Sequence, residues 1–108
     1  MKIQLPAVIE KYLEASNRHN VKSILSCFAD DAVVRDEKQE FRGKKAIENW
    51  VVTTIEKYKF RVRPLTVSNG ATEPVVAFEV SGTFPGSPVA LDYHFTIADD
   101  HISSLTID

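Results

Sequence analysis

The chain has 108 residues, of which 44% are hydrophobic and 26% are charged, and its formal net charge is -2 at pH 7. This length and composition predict one globular domain, residues 1–108, with a single hydrophobic core. The small negative charge offers no field that would attract nucleic acid or an anionic membrane, so we expect neither as a partner. Because Pro6 and Glu10 interrupt the N-terminal apolar stretch, it is too short for a signal peptide or a membrane span, which predicts a cytoplasmic protein.

Two helices are predicted at the start of the chain. After Pro6, the residues that recur at three- and four-residue spacing are Ile9, Tyr12, Leu13 and Ser16. This stripe predicts a first helix that ends near His19. Asn20 can cap a second, short helix, which we expect to end in a turn at Asp30 and Asp31.

The next segments predict a short hairpin and a long helix. Residues 32–36 are typical of a strand, and Phe41 and Arg42 are its expected partner. From Gly43 the apolar residues follow the 3.6-residue period of a helix as far as Tyr58. Trp50 lies in the middle of this stripe, and we therefore expect it to anchor the helix in the core.

After the third helix the apolar period changes to two, which predicts strands. Pro64 stands where the apolar residues change parity, and this indicates a bulge or a bend. Further strands are predicted over residues 75–84, 89–97 and 101–108. Helices followed by antiparallel strands predict an α+β domain in which a curved sheet wraps around three N-terminal helices.

The face of the predicted sheet that points away from the helices carries small or polar side chains. On the two central strands these are Val75, Ala77, Glu79, Ser81, Thr83, Ala90, Asp92, His94, Thr96 and Ala98. Such a face is either solvated or packs flat against a second copy of the chain. Both alternatives remain open at this point.

Two motifs carry a resemblance to a known family. They are FADDAVVRD, after the second helix, and FRGKKAIENW, which opens the third. Together with the order of the elements they resemble the nuclear-transport-factor-two-like superfamily, and within it the SnoaL-like and ketosteroid-isomerase-like branch. The resemblance implies a cone-shaped mixed sheet, an interior that holds a small hydrophobic ligand, and a homodimer. Because this fold hosts isomerases, cyclases, dehydratases and binding-only proteins, it does not by itself select one activity.

The resemblance also implies three catalytic residues. The general-base aspartate of the steroid isomerases corresponds to Asp36, and their oxyanion-binding tyrosine corresponds to Tyr12. The second oxyanion donor, an aspartate in those enzymes, falls on Tyr93, and the proline that commonly follows the base is replaced by Glu37. A base beside the carbon and donors at the carbonyl oxygen are what proton transfer next to a carbonyl requires. We expect the walls of the cavity to include Phe28, Trp50, Phe78 and Phe95.

Each assignment has a plainer alternative. Asp36 is also typical of a solvated strand end, with Val33 and Arg35 pointing inward instead. The two tyrosines would equally serve core packing. The sequence therefore leaves two functions open. One is an enzyme acting on a hydrophobic carbonyl compound, as a ketosteroid-isomerase-like isomerase or a polyketide-cyclase-like lyase. The other is a non-catalytic module for ligand binding, dimerisation or protein interaction.

The sequence offers no pattern for a metal or another cofactor, and we expect none. Cys27 is the only cysteine, and its apolar surroundings indicate a buried, inert thiol. The three histidines are far apart and form no ligand pair of the HExxH or HxH kind. The basic residues that alternate with aromatic ones between Lys57 and Arg63 indicate a solvated strand face rather than a nucleic-acid groove.

Overall fold

The computed structural model describes residues 4–68, 70 and 72–108, and within them it contains three helices and six strands. The helices are α1 (Ala7–Asn17), α2 (Val21–Ser26) and α3 (Gly43–Tyr58). The strands are β1 (Phe28–Asp36), β2 (Gln39–Arg42), β3 (Arg61–Ser68), β4 (Val75–Ser81), β5 (Val89–Ala98) and β6 (His101–Ile107). None of the helices in this described part is both long and apolar enough to cross a membrane.

The strands form one curved sheet in the order β2-β1-β6-β5-β4-β3. The pairing of β1 with β6 is parallel, and the other neighbouring strands are antiparallel. The register between β3 and β4 shifts between Pro64 and Thr66, which confirms the predicted irregularity at Pro64. The helices cover one face of this mixed sheet, so the predicted α+β class is confirmed.

The end of α2 differs from the prediction. Asn20 caps the helix as expected, because its side-chain oxygen accepts a hydrogen bond of 3.1 Å from the backbone N–H of Ser23. However, α2 ends at Ser26, and Asp30 and Asp31 lie exposed within β1 rather than in a turn. The chain enters the sheet early because the Cys27 carbonyl accepts a hydrogen bond of 2.8 Å from the N–H of Ile102.

Helix α3 begins and ends where the sequence predicts. Its buried residues are Ile47, Trp50 and Val51, which face the sheet from the apolar stripe. The core between the helices and the sheet is densely occupied, and its fully buried side chains include Ile9, Val34, Ile47, Phe78 and Leu105. Burial of this apolar surface fixes α3 against the sheet and thereby sets the direction in which Trp50 points.

Strand β4 is shorter than predicted. The strand ends at Ser81, whereas the sequence pattern continues it to Phe84. The chain leaves the sheet there because the Thr83 N–H donates a 2.8 Å hydrogen bond to the Tyr58 carbonyl oxygen. A side chain at Gly82 would collide with the same oxygen, so the close approach depends on the glycine. Phe84 consequently lies in a loop beside the C-terminal end of α3.

Candidate functional site

A cavity of about 290 Å³ lies between the helices and the sheet. Its lining side chains with a polar group are Tyr12, Ser16, Asp36, Glu37, Trp50, Thr54, Tyr58 and Tyr93. Its apolar lining residues are Ile24, Val51, Phe60, Val62, Val80, Phe84, Pro85, Val89, Leu91 and Ile107. All three helices and five of the six strands, β1, β3, β4, β5 and β6, therefore contribute residues to the wall of this cavity.

Asp36 reaches this cavity from the last position of β1. Alternate residues of a strand share a face, and Ala32 and Val34, which have the same parity, are completely buried. Arg35 points the other way, where its guanidinium is exposed and pairs with Glu40 at 3.2 Å. The alternative in which Val33 and Arg35 form the inward pair is therefore wrong.

The Asp36 carboxylate is held by Trp50. The indole Nε1–H donates a hydrogen bond of 3.1 Å to Oδ2 of Asp36, which links the middle of α3 to the end of β1. Burial raises the pKa of Asp36, the Trp50 hydrogen bond opposes this rise, and the negative charge of Glu37 adds to it. The result is a carboxylate that is a stronger base than a free aspartate. The sequence pattern predicts Trp50 only as a core anchor and as part of the wall, and it does not predict the hydrogen bond to Asp36.

Tyr12 on α1 and Tyr93 on β5 line the same cavity. Burial is the main reason that the pKa of each phenol is raised, and the nearby Asp36 raises both further. Both phenols therefore keep their protons at neutral pH and are able to donate hydrogen bonds. The Ser16 side chain interacts with the Tyr12 hydroxyl, whereas no group in the described part of the chain hydrogen-bonds to the Tyr93 hydroxyl.

Three of the four expected wall residues lie behind the cavity rather than in it. Only Trp50 is part of the lining, while Phe28, Phe78 and Phe95 are almost completely buried in the core. The tyrosines stand in front of them. The ring of Tyr12 makes edge contacts with Phe28 at 5.9 Å and Phe95 at 5.7 Å between centroids, and Tyr93 contacts Phe78 in the same way at 4.7 Å. These phenylalanines thus hold the two tyrosine rings in place.

The mouth of the cavity was not predicted from the sequence. Glu37 and Pro85 are its exposed lining residues, and Tyr58 and Phe84 lie beside them. The Tyr58 hydroxyl donates a hydrogen bond to Oε1 of Glu37, and its ring meets Phe84 edge-on at 5.6 Å. Glu37 has a φ of 53° in the turn between β1 and β2, and this turn lets two consecutive carboxylates line the same space.

The arrangement suits acid–base chemistry on an organic ligand. The described residues contain no group of three His, Cys, Asp or Glu side chains that could hold a metal ion. The His94 side chain is exposed and pairs with Asp108 at 3.2 Å, away from the cavity. The side chains that the cavity offers for such chemistry are the Asp36 carboxylate, whose pKa is raised, and the neutral phenols of Tyr12 and Tyr93.

Comparison with known proteins places this geometry in context. Residues 9–105 match the family model of the SnoaL-like domain. A candidate polyketide cyclase from Sinorhizobium meliloti has a similar structure, with a TM-score of 0.93 and 36% sequence identity over 96% of this chain and 95% of that one. No protein with a curated description matches the chain.

Two further solved structures share the fold at lower identity. The Δ5-3-ketosteroid isomerase from a Mycobacterium species has a TM-score of 0.79 and 21% identity over 94% of this chain and 89% of its own. The epoxide hydrolase/cyclase-like enzyme SalBIII, which has a role in pyran-ring formation in the polyether salinomycin, has a TM-score of 0.81. It is 19% identical over 93% of this chain and 85% of its own.

Proposed function

The chain belongs to the SnoaL-like domain family, and on this premise we propose that it binds a small, largely apolar carbonyl compound and moves a proton on it. The observation that carries the proposal is the position of Asp36, whose partly buried carboxylate lines the same cavity as Tyr12 and Tyr93. Asp36 is the general base. The two tyrosines are the hydrogen-bond donors to the carbonyl oxygen.

The proposed step is the transfer of a proton from the α-carbon to the γ-carbon of a β,γ-unsaturated ketone. Asp36 takes a proton from the carbon next to the carbonyl, and the C–H electron pair moves to give a dienolate whose negative charge lies on oxygen. Tyr12 and Tyr93 donate hydrogen bonds to that oxygen as the charge develops. Asp36 then returns the proton to the γ-carbon, so a β,γ-unsaturated ketone becomes its conjugated α,β-isomer without any co-reactant.

The names of the similar proteins support a ketone as the ligand class. A polyketide cyclase and a ketosteroid isomerase both act, by their names, on molecules that bear ketones. The replacement of the second acidic donor by Tyr93 is compatible with this role, because a neutral phenol donates a hydrogen bond to an oxyanion as a protonated carboxyl does. The apolar remainder of the lining complements the hydrocarbon part of such a ligand.

A panel of β,γ-unsaturated cyclic ketones tests the proposal. Formation of the conjugated isomer is followed by its ultraviolet absorbance, with the wild-type protein compared with buffer alone. Turnover above the buffer rate for at least one ketone is the expected result. Ligands that bind without any rate above buffer would show that the chain is a ligand-binding module instead, and a panel that neither binds nor reacts would refute both functions for this ligand class.

A further inference from the structure

The size, charge and polarity of the cavity narrow the ligand class of the proposed function. A cavity of about 290 Å³ lies at the small end of the range of about 300 to 1,000 Å³ that is typical of small-molecule sites. A molecule of one or two rings fits inside such a cavity, whereas a four-ring steroid would extend through its mouth. The fold shared with a steroid isomerase is therefore combined with a small interior.

The mouth of the cavity is where a larger ligand would extend. Tyr58 and Glu37 are joined by a hydrogen bond there, and the ring of Phe84 packs against Tyr58. The backbone of Tyr58 is also fixed, because its carbonyl oxygen accepts hydrogen bonds from both the N–H and the hydroxyl of Thr83, at 2.8 and 3.2 Å. A ligand that extends beyond the cavity meets these contacts at the mouth.

The charges along the wall select against acids. Among the described residues that line the cavity, two are carboxylates and none is Lys, Arg or His. An anionic ligand would bring a second negative charge next to the partly buried Asp36. The cation at the mouth, Lys57, lies outside the lining, where its Nζ is 5.0 Å from the centre of the Tyr58 ring and interacts with Glu37. A neutral ligand avoids this cost.

Several polar groups of the wall are already hydrogen-bonded within the protein. Thr54 uses its hydroxyl internally by donating to the Val51 carbonyl oxygen at 3.0 Å, and the Trp50 N–H is occupied by Asp36. The Ser16 side chain interacts with the Tyr12 hydroxyl, and the Tyr58 hydroxyl donates to Glu37. The phenols of Tyr12 and Tyr93 are therefore the donors that a ligand meets near Asp36. One polar end and a hydrocarbon body are what this distribution complements.

We propose that the ligand is a neutral mono- or bicyclic ketone, smaller than a steroid and without a carboxylate or phosphate. The proposal rests on the proposed function, since the ketone is the group that Asp36, Tyr12 and Tyr93 address. It goes further by setting an upper limit on size and excluding anions. The size limit follows from residues that take no part in the proton transfer, and the charge limit follows from the two carboxylates, Asp36 and Glu37.

Binding is measurable through Trp50, which is the only tryptophan of the sequence and lines the cavity. The size probes are the β,γ-isomers of cyclohexenone and octalone and a four-ring β,γ-unsaturated steroid ketone. The charge probes are a two-ring keto acid and its methyl ester. Dissociation constants come from Trp50 fluorescence and are checked by calorimetry, and the isomerisation rate is recorded for the three β,γ-unsaturated ketones.

The octalone isomer is expected to bind at least about tenfold more tightly than the steroid, and the ester at least about tenfold more tightly than the acid. Leu91→Ala, which removes side-chain volume from the wall on β5 and so enlarges the cavity, is expected to move the binding preference toward the steroid. Leu65→Ala is the matched control, since Leu65 is half-buried on β3 outside the lining and its truncation should leave the preference unchanged.

The outcomes separate this inference from the function on which it rests. A steroid that binds or reacts as well as the octalone isomer would overturn the size limit while leaving proton transfer intact. An acid that binds as tightly as its ester would overturn the charge limit in the same way. If no ketone of any size binds or reacts, the proposed function fails and the inference fails with it.

Discussion

The indole N–H of Trp50 lies 3.1 Å from Oδ2 of Asp36 and donates a hydrogen bond to it. The bond joins a residue in the middle of α3 to the last residue of β1, so the carboxylate is fixed by the packing of a helix on a sheet. The same bond stabilises the ionised form of a carboxyl whose pKa is raised by burial.

The first prediction concerns the pH dependence of the isomerisation. Trp50→Phe removes the hydrogen bond that lowers the pKa of Asp36 and keeps an aromatic ring in the wall. The pKa should therefore rise further, and because the base acts when ionised, the acidic limb of the rate profile should move to higher pH. The profile of kcat/KM for the octalone isomer measures the shift. A limb that stays in place or moves to lower pH would show that the indole does not tune the carboxylate.

The second prediction concerns stability. Because the folded-state pKa of Asp36 is raised, the protonated carboxyl stabilises the fold below the unfolded pKa, and this contribution is lost as pH rises through the folded pKa. At neutral pH the ionised Asp36 is therefore unfavourable for folding. Asp36→Asn should increase the free energy of unfolding at neutral pH. The change should be small at about pH 3, where residue 36 is uncharged in the wild-type protein as well as in the variant.

Urea denaturation at the two pH values measures this difference. Asp31→Asn is the matched control, because Asp31 lies exposed on the same strand and has no buried charge to remove. A loss of stability in Asp36→Asn at neutral pH would show that the carboxylate is favourable for folding. The gain expected here is typical of groups that are kept for function rather than for stability.

The third prediction separates chemistry from packing at Tyr93. Tyr93→Phe keeps the ring and its contact with Phe78 but removes one donor to the oxyanion, so kcat should fall by about 10²-fold. Since the described residues provide no hydrogen-bond partner for this hydroxyl, the free energy of unfolding should change little. Single-turnover kinetics and urea denaturation give the two values. An unchanged kcat would assign Tyr93 to the core alone.

The sequence predicted the elements that periodicity specifies and missed features that depend on close approach in three dimensions. The stripe around Trp50 located α3, but its hydrogen bond to Asp36 joins residues on different elements and leaves no local pattern. The residue types of Asp30 and Asp31 favour a turn, whereas the pairing of Cys27 with Ile102 draws the chain into the sheet earlier.

The walls of the cavity show the same limit. Phe28, Phe78 and Phe95 have the size and parity of wall residues, yet the tyrosines stand between them and the open space. Parity indicates which side of a strand a residue occupies but not how deep it lies. The mouth depends on the positive φ of Glu37 and on the loop that carries Phe84, and neither follows from hydrophobic periodicity.

The fourth prediction concerns the face of the sheet that points away from the helices. We propose that this face joins two copies of the chain, because its small side chains permit close approach. Glutamate substitutions at Ala77 and Thr96, which alternate with the buried residues of β4 and β5, should release monomers. Light scattering measures the mass. Thr53→Glu, on the exposed side of α3, is the control and should leave the dimer intact. A wild-type monomer at micromolar concentrations would contradict the proposal.

The most direct test of the central claim is the rate at which the octalone isomer is converted to its conjugated isomer, followed by NMR at saturating ligand. Asp36→Asn should reduce this rate by roughly 10²- to 10⁴-fold while the affinity measured through Trp50 fluorescence is retained. Asp31→Asn should react at the wild-type rate. Conversion that is as fast in Asp36→Asn as in the wild type, with the ligand bound in both, would contradict the assignment of Asp36 as the general base.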